Sequence, residues 1–198
     1  MAKPRVIVIA GPNGAGKSTA APRLLRDALG VVEFVNADQI PAGLSAYAPQ
    51  TVAFEAGRIM LTRLRALAGQ KVSFAFESTL ASRSFAPFLR RLKPQGYAVE
   101  LIYLPLPSAQ AAIDRVAFRV KRGGHDIPKK DIERRYRRSL ENVSRLYLPI
   151  VDRADFVDNA DGKLRRIASI KNLASGTVIE VKRQAIWLLL QQQLNPPA

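Results

Sequence analysis

Apolar residues follow two rhythms that alternate along the chain. Short runs rich in β-branched residues, Arg5 to Ala10, Val31 to Asn36, Val72 to Phe76, Ala98 to Leu104 and Asp155 to Asp158, read as buried strands. Between them the apolar positions recur at helical spacing. One such stretch runs from Ala20 to Leu29. A second opens at Pro49, keeps Val52, Ala56, Ile59, Met60, Leu64 and Leu67 to one side, and stops at Gly69. A third runs from Ser84 through Phe88, Leu89 and Leu92 to the break Lys93-Pro94-Gln95-Gly96. Ser108 can cap a fourth, and Ile132, Tyr136, Leu140, Val143 and Leu146 mark a fifth. Strand and helix in alternation predict βαβ crossovers. The expected fold is therefore α/β, a parallel sheet sandwiched by helices, with ligands at the carboxyl ends of the strands. After Asp161 the rhythm changes to two short β-like pieces, Leu164 to Ile170 and Thr177 to Val181, followed by a helix around Trp187. This reads as an appendage (161–198) of one domain spanning 1–198. The apolar cluster Ile186 to Leu190 is expected to pack onto the sheet, with an oligomer contact as the alternative.

Composition narrows the class. Of 198 residues, 47% are hydrophobic and 24% charged, values of a globular domain, and no low-complexity tract or repeat is visible. No apolar run approaches the ~20 residues that span a bilayer, and the run before Ala10 is too short for a signal sequence, so a cytoplasmic protein without membrane contact is expected. Zero cysteines exclude disulfides and thiolate metal sites. The net charge of +15 admits three readings: a nucleic-acid surface, arginine chemistry on a phosphorylated small molecule, or a solvated basic face. No aromatic-interleaved RNA-binding motif accompanies the arginines, so no specific nucleic-acid partner is expected.

The chemistry begins at Gly11-Pro12-Asn13-Gly14-Ala15-Gly16-Lys17-Ser18, which fits G-x-x-x-x-G-K-[ST] and sits between an expected strand and an expected helix. Glycines let the backbone curl until its N–H groups and the next helix N-terminus face one polyphosphate. In that setting Lys17 addresses the β- and γ-phosphates and the Ser18 hydroxyl serves Mg²⁺. ATP and Mg²⁺ are the ligands this pattern implies. Further polar residues at strand ends belong near the γ-phosphate. Asp38 follows the second run and reads as a general base, a Mg²⁺ ligand or a helix cap. Glu77, Ser78 and Thr79 follow the third, where a bare buried Glu77 would be costly unless paired or bound to a ligand.

Arg115, Arg119 and Arg122 fall at i, i+4 and i+7 of one expected helix and share a face. They lead into Gly123-Gly124-His125-Asp126-Ile127-Pro128 and then Arg134, Arg135, Arg137 and Arg138. The stretch 115–138 reads as an arginine-rich lid of a nucleoside-kinase-like enzyme, whose guanidinium groups neutralise charge on a transferred phosphoryl group. His125, the only histidine, reads as ordering the loop or as catalytic.

Taken together, these segments resemble the zeta toxin family of P-loop kinases. The residues that carry the likeness are Gly11 to Thr19, Val35-Asn36-Ala37-Asp38, Phe76-Glu77-Ser78-Thr79-Leu80, Gly96-Tyr97, Leu101 to Leu104, Arg119 to Pro128 and Arg134-Arg135-Tyr136. The resemblance spans roughly residues 3 to 160 and implies ATP-dependent phosphorylation of a UDP-amino-sugar, typically UDP-N-acetylglucosamine, at its 3′-hydroxyl. It implies Asp38 as base, Lys17 as phosphate ligand, Glu77, Ser78 and Thr79 at the substrate, and Arg119, Arg122 and Arg135 as charge stabilisers. The lid resembles that of short chromosomal members. A toxin role implies a separate antitoxin. Kinases of another sugar, a nucleoside or an antibiotic share the fold, and a nucleic-acid-associated ATPase or polynucleotide kinase is the reading that the charge alone favours.

Overall fold

The computed structural model describes residues 3–36, 40, 53–124 and 126–195. Its strands are β1 (Arg5–Ala10), β2 (Glu33–Asn36), β3 (Phe74–Ser78), β4 (Ala98–Tyr103), β5 (Arg153–Asp158), β6 (Arg165–Leu173) and β7 (Gly176–Val181), in one sheet of order β2-β3-β1-β4-β5-β6-β7. The first five are parallel and the last two antiparallel. β1 and β3 bury nearly every side chain, as a parallel strand with helices on both faces must.

Helix α1 (Lys17–Pro22) continues through a π turn (Arg23–Leu29) to Gly30, whose φ of 64° ends it in the left-handed region that glycine tolerates. The other helices are α2 (Ala53–Gly69), α3 (Phe85–Leu92), α4 (Ala109–Val120), α5 (Lys129–Asn142), which runs on as a π turn to Tyr147, and α6 (Gln184–Leu194). Ser108 caps α4 by accepting from Ala111 N at 3.1 Å. α5 lies on the sheet through Ile132, Tyr136 and Leu140, and its Ser139 hydroxyl meets Tyr103 Oη at 3.0 Å in the core. Trp187 of α6 stacks 5.2 Å from Phe156, with Leu190 and Leu194 buried beside it, so the last helix packs onto the sheet while Leu188 and Leu189 remain exposed.

Several boundaries differ from the sequence expectation. The third strand is Phe74–Ser78, so Glu77 and Ser78 lie within it and Val72 does not. The fifth starts at Arg153, two residues early, and the second at Glu33. The two late β-like pieces join the main sheet as β6 and β7, because β5 offers them a free edge. Helix α4 ends at Val120, which puts Arg122 in the following turn instead of on the face of Arg115 and Arg119. The expected helix start at Pro49 lies outside the described residues.

Candidate functional site

The site grows from the carboxyl end of β1. At Gly11 the chain turns with φ 147°, and a Cβ there would come within 2.3 Å of the Leu104 carbonyl oxygen. Gly14 (φ 79°) lies against Arg115 and the Ala112 carbonyl of α4, which leave no room for a side chain, and Gly16 holds a φ of 77° that favours glycine, with the Asn159 amide beside it. Ala15 N closes the turn on Pro12 O, and Ala20 N takes up the helix on Gly16 O at 2.9 Å. No side chain caps the start of α1. Its first N–H groups, at Lys17, Ser18 and Thr19, are therefore of the kind that accept an anion. Asn13 is buried in the same cradle, and its Oδ1 has no hydrogen-bond partner among the described residues.

Beneath the loop, Lys17 and Glu77 are buried together. Lys17 Nζ donates to Pro12 O at 3.1 Å and stands 3.7 Å from Glu77 Oε1. Glu77 Oε2 accepts from Ser18 Oγ at 2.9 Å, and Asn36 Nδ2 reaches the same hydroxyl at 3.4 Å. Sheet register makes this meeting possible, since Glu77 is level with Ile9 on one side and Asn36 on the other. A hydroxyl and a carboxylate side by side are hard oxygen donors that fit Mg²⁺, which usually takes one or two protein oxygens and completes its shell with phosphate and water.

Beyond β3 the chain makes a tight bend. Leu80 is buried with φ 55°, and its N–H donates to Ser78 Oγ at 3.0 Å, so the Ser78 oxygen serves the bend. Asn142 Nδ2 on Leu80 O and Tyr147 Oη on Ser82 O tie this segment to α5. Between segment and helix opens a pocket of about 610 Å³, whose lining includes Thr79, Arg83, Arg134, Arg135, Arg138 and Glu141. Four guanidinium groups against one carboxylate give it a positive lining.

The expected lid arginines have different settings. Arg115 bridges the carbonyls of Gly14 and Ala160 at 3.5 and 3.2 Å, tying the root of α4 to the phosphate loop. Arg119 is half-buried, and Gly124 packs directly on its stem. Arg122 is exposed, with its guanidinium 4.3 Å above the Phe118 ring. Arg134 is held by Asp131 at 2.7 Å, and that hydrogen bond lowers the Asp131 pKa. Arg135 faces the pocket. Asp38 and His125 lie outside the described residues.

Sequence reasoning named Asn36 within the family likeness and Arg138 within the lid, but passed over Asn159 and Arg83 as site residues. Asn159 follows β5 and donates to Ala15 O at 3.4 Å, a strand-end position of the kind that singled out Asp38. Arg138 is one turn from Arg135 on the same helix face. Arg83 carries no local signal, because only the fold brings it opposite α5.

The family model of zeta toxins matches residues 1–169. An uncharacterized protein of Haemophilus influenzae is 30% identical over 132 residues, which is 67% of this chain and 92% of that protein. Among solved structures, AvrRxo1-ORF1:-ORF2 with ATP matches with a TM-score of 0.70 at 17% identity, over 96% of this chain and 64% of that one. The PezAT chromosomal toxin–antitoxin system of Streptococcus pneumoniae matches with a TM-score of 0.67 at 16% identity, over 100% and 81%. A putative kinase from Chloroflexus aurantiacus matches at 0.61 and 14%, over 97% and 99%. At these identities the structural likeness shows the fold. This chain spans 64% of the AvrRxo1-ORF1:-ORF2 chain it matches.

Proposed function

This chain belongs to the zeta toxin family, and from that premise we propose that it is an ATP-dependent kinase of a small hydroxyl-bearing metabolite, with a UDP-amino-sugar such as UDP-N-acetylglucosamine as acceptor. The observation that carries the reading is the buried Lys17–Glu77–Ser18 constellation under the Gly11 to Thr19 loop. The arginine-lined pocket beyond β3 supports it, being within the roughly 300–1,000 Å³ range of small-molecule sites and suited by charge to an anionic acceptor.

In the proposed reaction the acceptor hydroxyl oxygen bonds to the γ-phosphorus of ATP as the bond to the departing ADP oxygen breaks. Asp38 takes the hydroxyl proton. Lys17 leaves the Pro12 carbonyl for the phosphate oxygens, and the N–H groups of the loop hold the β-phosphate in line. Ser18 and Glu77 would hold Mg²⁺, which when bound supplies charge for the β- and γ-phosphates. Glu77 thereby moves to the nucleotide side, while Thr79 at the pocket wall stays with the acceptor. Arg119, Arg122 and Arg135 offset charge on the moving phosphoryl group and help exclude water. The toxin–antitoxin neighbour supports a separate antitoxin-type protein partner.

The direct test is ADP release from ATP-Mg²⁺ by the pure protein, with a panel of UDP-sugars, free sugars, nucleosides and 5′-hydroxyl oligonucleotides as acceptors. Stimulation by a UDP-sugar alone is the expected result. Stimulation by oligonucleotides alone overturns the acceptor and supports the polynucleotide reading.

A further inference from the structure

Among the described residues β7 is an edge of the sheet, and its pairing with β6 settles which of its backbone groups face outward. Lys182 N donates to Ile167 O at 2.8 Å, in the register that sets Val181 against Ala168 and Ile179 against Ile170. Bonded and non-bonded positions alternate along an antiparallel pair. Val178 and Glu180 therefore turn their N–H and C=O groups to β6, and Thr177, Ile179 and Val181 turn theirs away from the sheet. Edge strands are usually blunted by proline, lysine or a bulge. Gly-Thr-Val-Ile-Glu-Val has no proline or lysine, and Val178 and Ile179 are half exposed.

The edge continues into α6. Val181 is level with Ala168, Ala168 with Phe156, and Phe156 touches Trp187, so Val181 and Ile179 lie on the sheet face that α6 covers. Gln193 anchors one flank of α6 to Pro107 O and to Tyr136 of α5. Leu188 is about 140° around the helix from Gln193, on the flank away from α5, and it is half exposed. From Gln184 to Leu194 the helix has no charged side chain, in a chain of net charge +15.

We propose that the β7 edge is a two-fold interface joining two copies of this chain. With Ile179 opposite its own symmetry mate in an antiparallel pair, Thr177 falls opposite Val181, and the outward N–H and C=O groups of all three residues are bonded. Val178 falls opposite Glu180, so no like charges are directly opposite, and each Glu180, diagonal to its mate, keeps its charge paired with Lys182 at 2.6 Å. Both helices α6 then lie on one face of a continuous sheet, bringing Leu188 of each copy toward the axis beside Ile179. A second copy is the fitting occupant because the register closes on itself about a two-fold axis, and because α6, the helix beside this edge, adds no charge to the contact in a chain of charge +15. An acidic partner would be drawn to the arginine-lined face instead.

Sedimentation equilibrium on the full chain tests this independently of the kinase reading. The expected mass is twice 21.8 kDa. Ile179→Lys brings two ammonium groups together at the axis and is expected to shift the mass to 21.8 kDa with an unchanged far-UV circular dichroism spectrum. Thr177→Pro removes the outward N–H and the exposed Thr177 Oγ1 bond to Asn172 Oδ1, but no backbone bond to β6, and gives the same shift if the lysine variant fails to fold. In the native chain, hydrogen exchange at the amides of Thr177, Ile179 and Val181 is expected to slow as protein concentration rises. A native mass of 21.8 kDa at every concentration, a dimer that survives both substitutions, or concentration-independent exchange at those amides each overturns the proposal.

Discussion

Ser18 and Glu77, 59 residues apart in the chain, meet at 2.9 Å with the hydroxyl donating to the carboxylate. The contact joins the helix that follows the phosphate loop to a strand beside β1, and it puts a negative charge next to the Ser18 hydroxyl, the pair proposed to hold Mg²⁺. Glu77→Gln keeps the size and an acceptor oxygen but removes that charge. Mg²⁺-dependent nucleotide affinity, read by calorimetry with and without the metal, is expected to fall in this variant while metal-free affinity holds. A variant that binds ATP-Mg²⁺ like the native chain and loses only acceptor affinity returns Glu77 to the substrate side.

Lys17 is the second partner of that carboxylate, at 3.7 Å and equally buried. Lys17→Ala is expected to abolish turnover. It also leaves Glu77 with one cationic neighbour fewer in a buried setting, so a lower melting temperature should accompany the loss. Native turnover in this variant would remove the loop from catalysis.

The loop and its two flanking elements were legible from sequence because their signals are local. Glycines at 11, 14 and 16 sit where the backbone has positive φ, with no room for Cβ at 11 and 14, and a glycine pattern reports that directly. The end of β3 was misread for a physical reason. Polar residues usually mark a strand's end, but Glu77 is buried inside one, because register sets it between Ile9 and Asn36, where Ser18 and Lys17 complete it. The pieces that became β6 and β7 were visible as β-like, but which edge they would join depends on pairing between distant residues. The arginine pocket was half legible. Arg134 and Arg135 stood out on their helix, while Arg83 enters only because Tyr147 and Asn142 pin its segment opposite them.

Arg134 and Arg135, adjacent in sequence, both line the pocket, but Arg134 spends its charge on Asp131. Steady-state kinetics of single alanine variants at 119, 122, 134 and 135 separates them. Arg135→Ala is expected to lose about 10³-fold in kcat with little change in ATP affinity, by analogy with an arginine finger. Arg134→Ala is expected to stay within a few-fold of native. Full kcat in all four variants identifies the cluster as a solvated basic face.

Burial makes the phenols a reporter of the core. It pushes Tyr136 up to about 12 and raises Tyr97, Tyr103 and Tyr147 from the ordinary value of 10.0 as well. Above pH 10.0 an unfolded chain releases these protons while the folded chain keeps them, so the folded state binds more protons and stability falls with rising pH. Below that value these groups contribute no pH dependence. Melting temperature is therefore expected to decline from about pH 10 upward, with phenolate absorbance appearing together with unfolding. Titration of all the tyrosines near their ordinary pKa in a folded chain contradicts the packing of α5 on β4.

Asp38 follows in sequence the strand whose last residue, Asn36, reaches the Ser18 hydroxyl at 3.4 Å. It is proposed as the base that takes the proton of the acceptor hydroxyl. Asp38→Asn retains size and a hydrogen-bonding oxygen and removes basicity alone. General-base assistance contributes about 10²–10⁴-fold, so kcat is expected to fall by that order while ATP binding by calorimetry changes little. If the residue only capped the next helix, asparagine would replace it almost without cost, since the two cap comparably. The base and cap readings therefore diverge on one variant. Native-like kcat with the best acceptor removes Asp38 from the chemistry and makes Glu77, the buried carboxylate already bonded to Ser18, the next one to test as base.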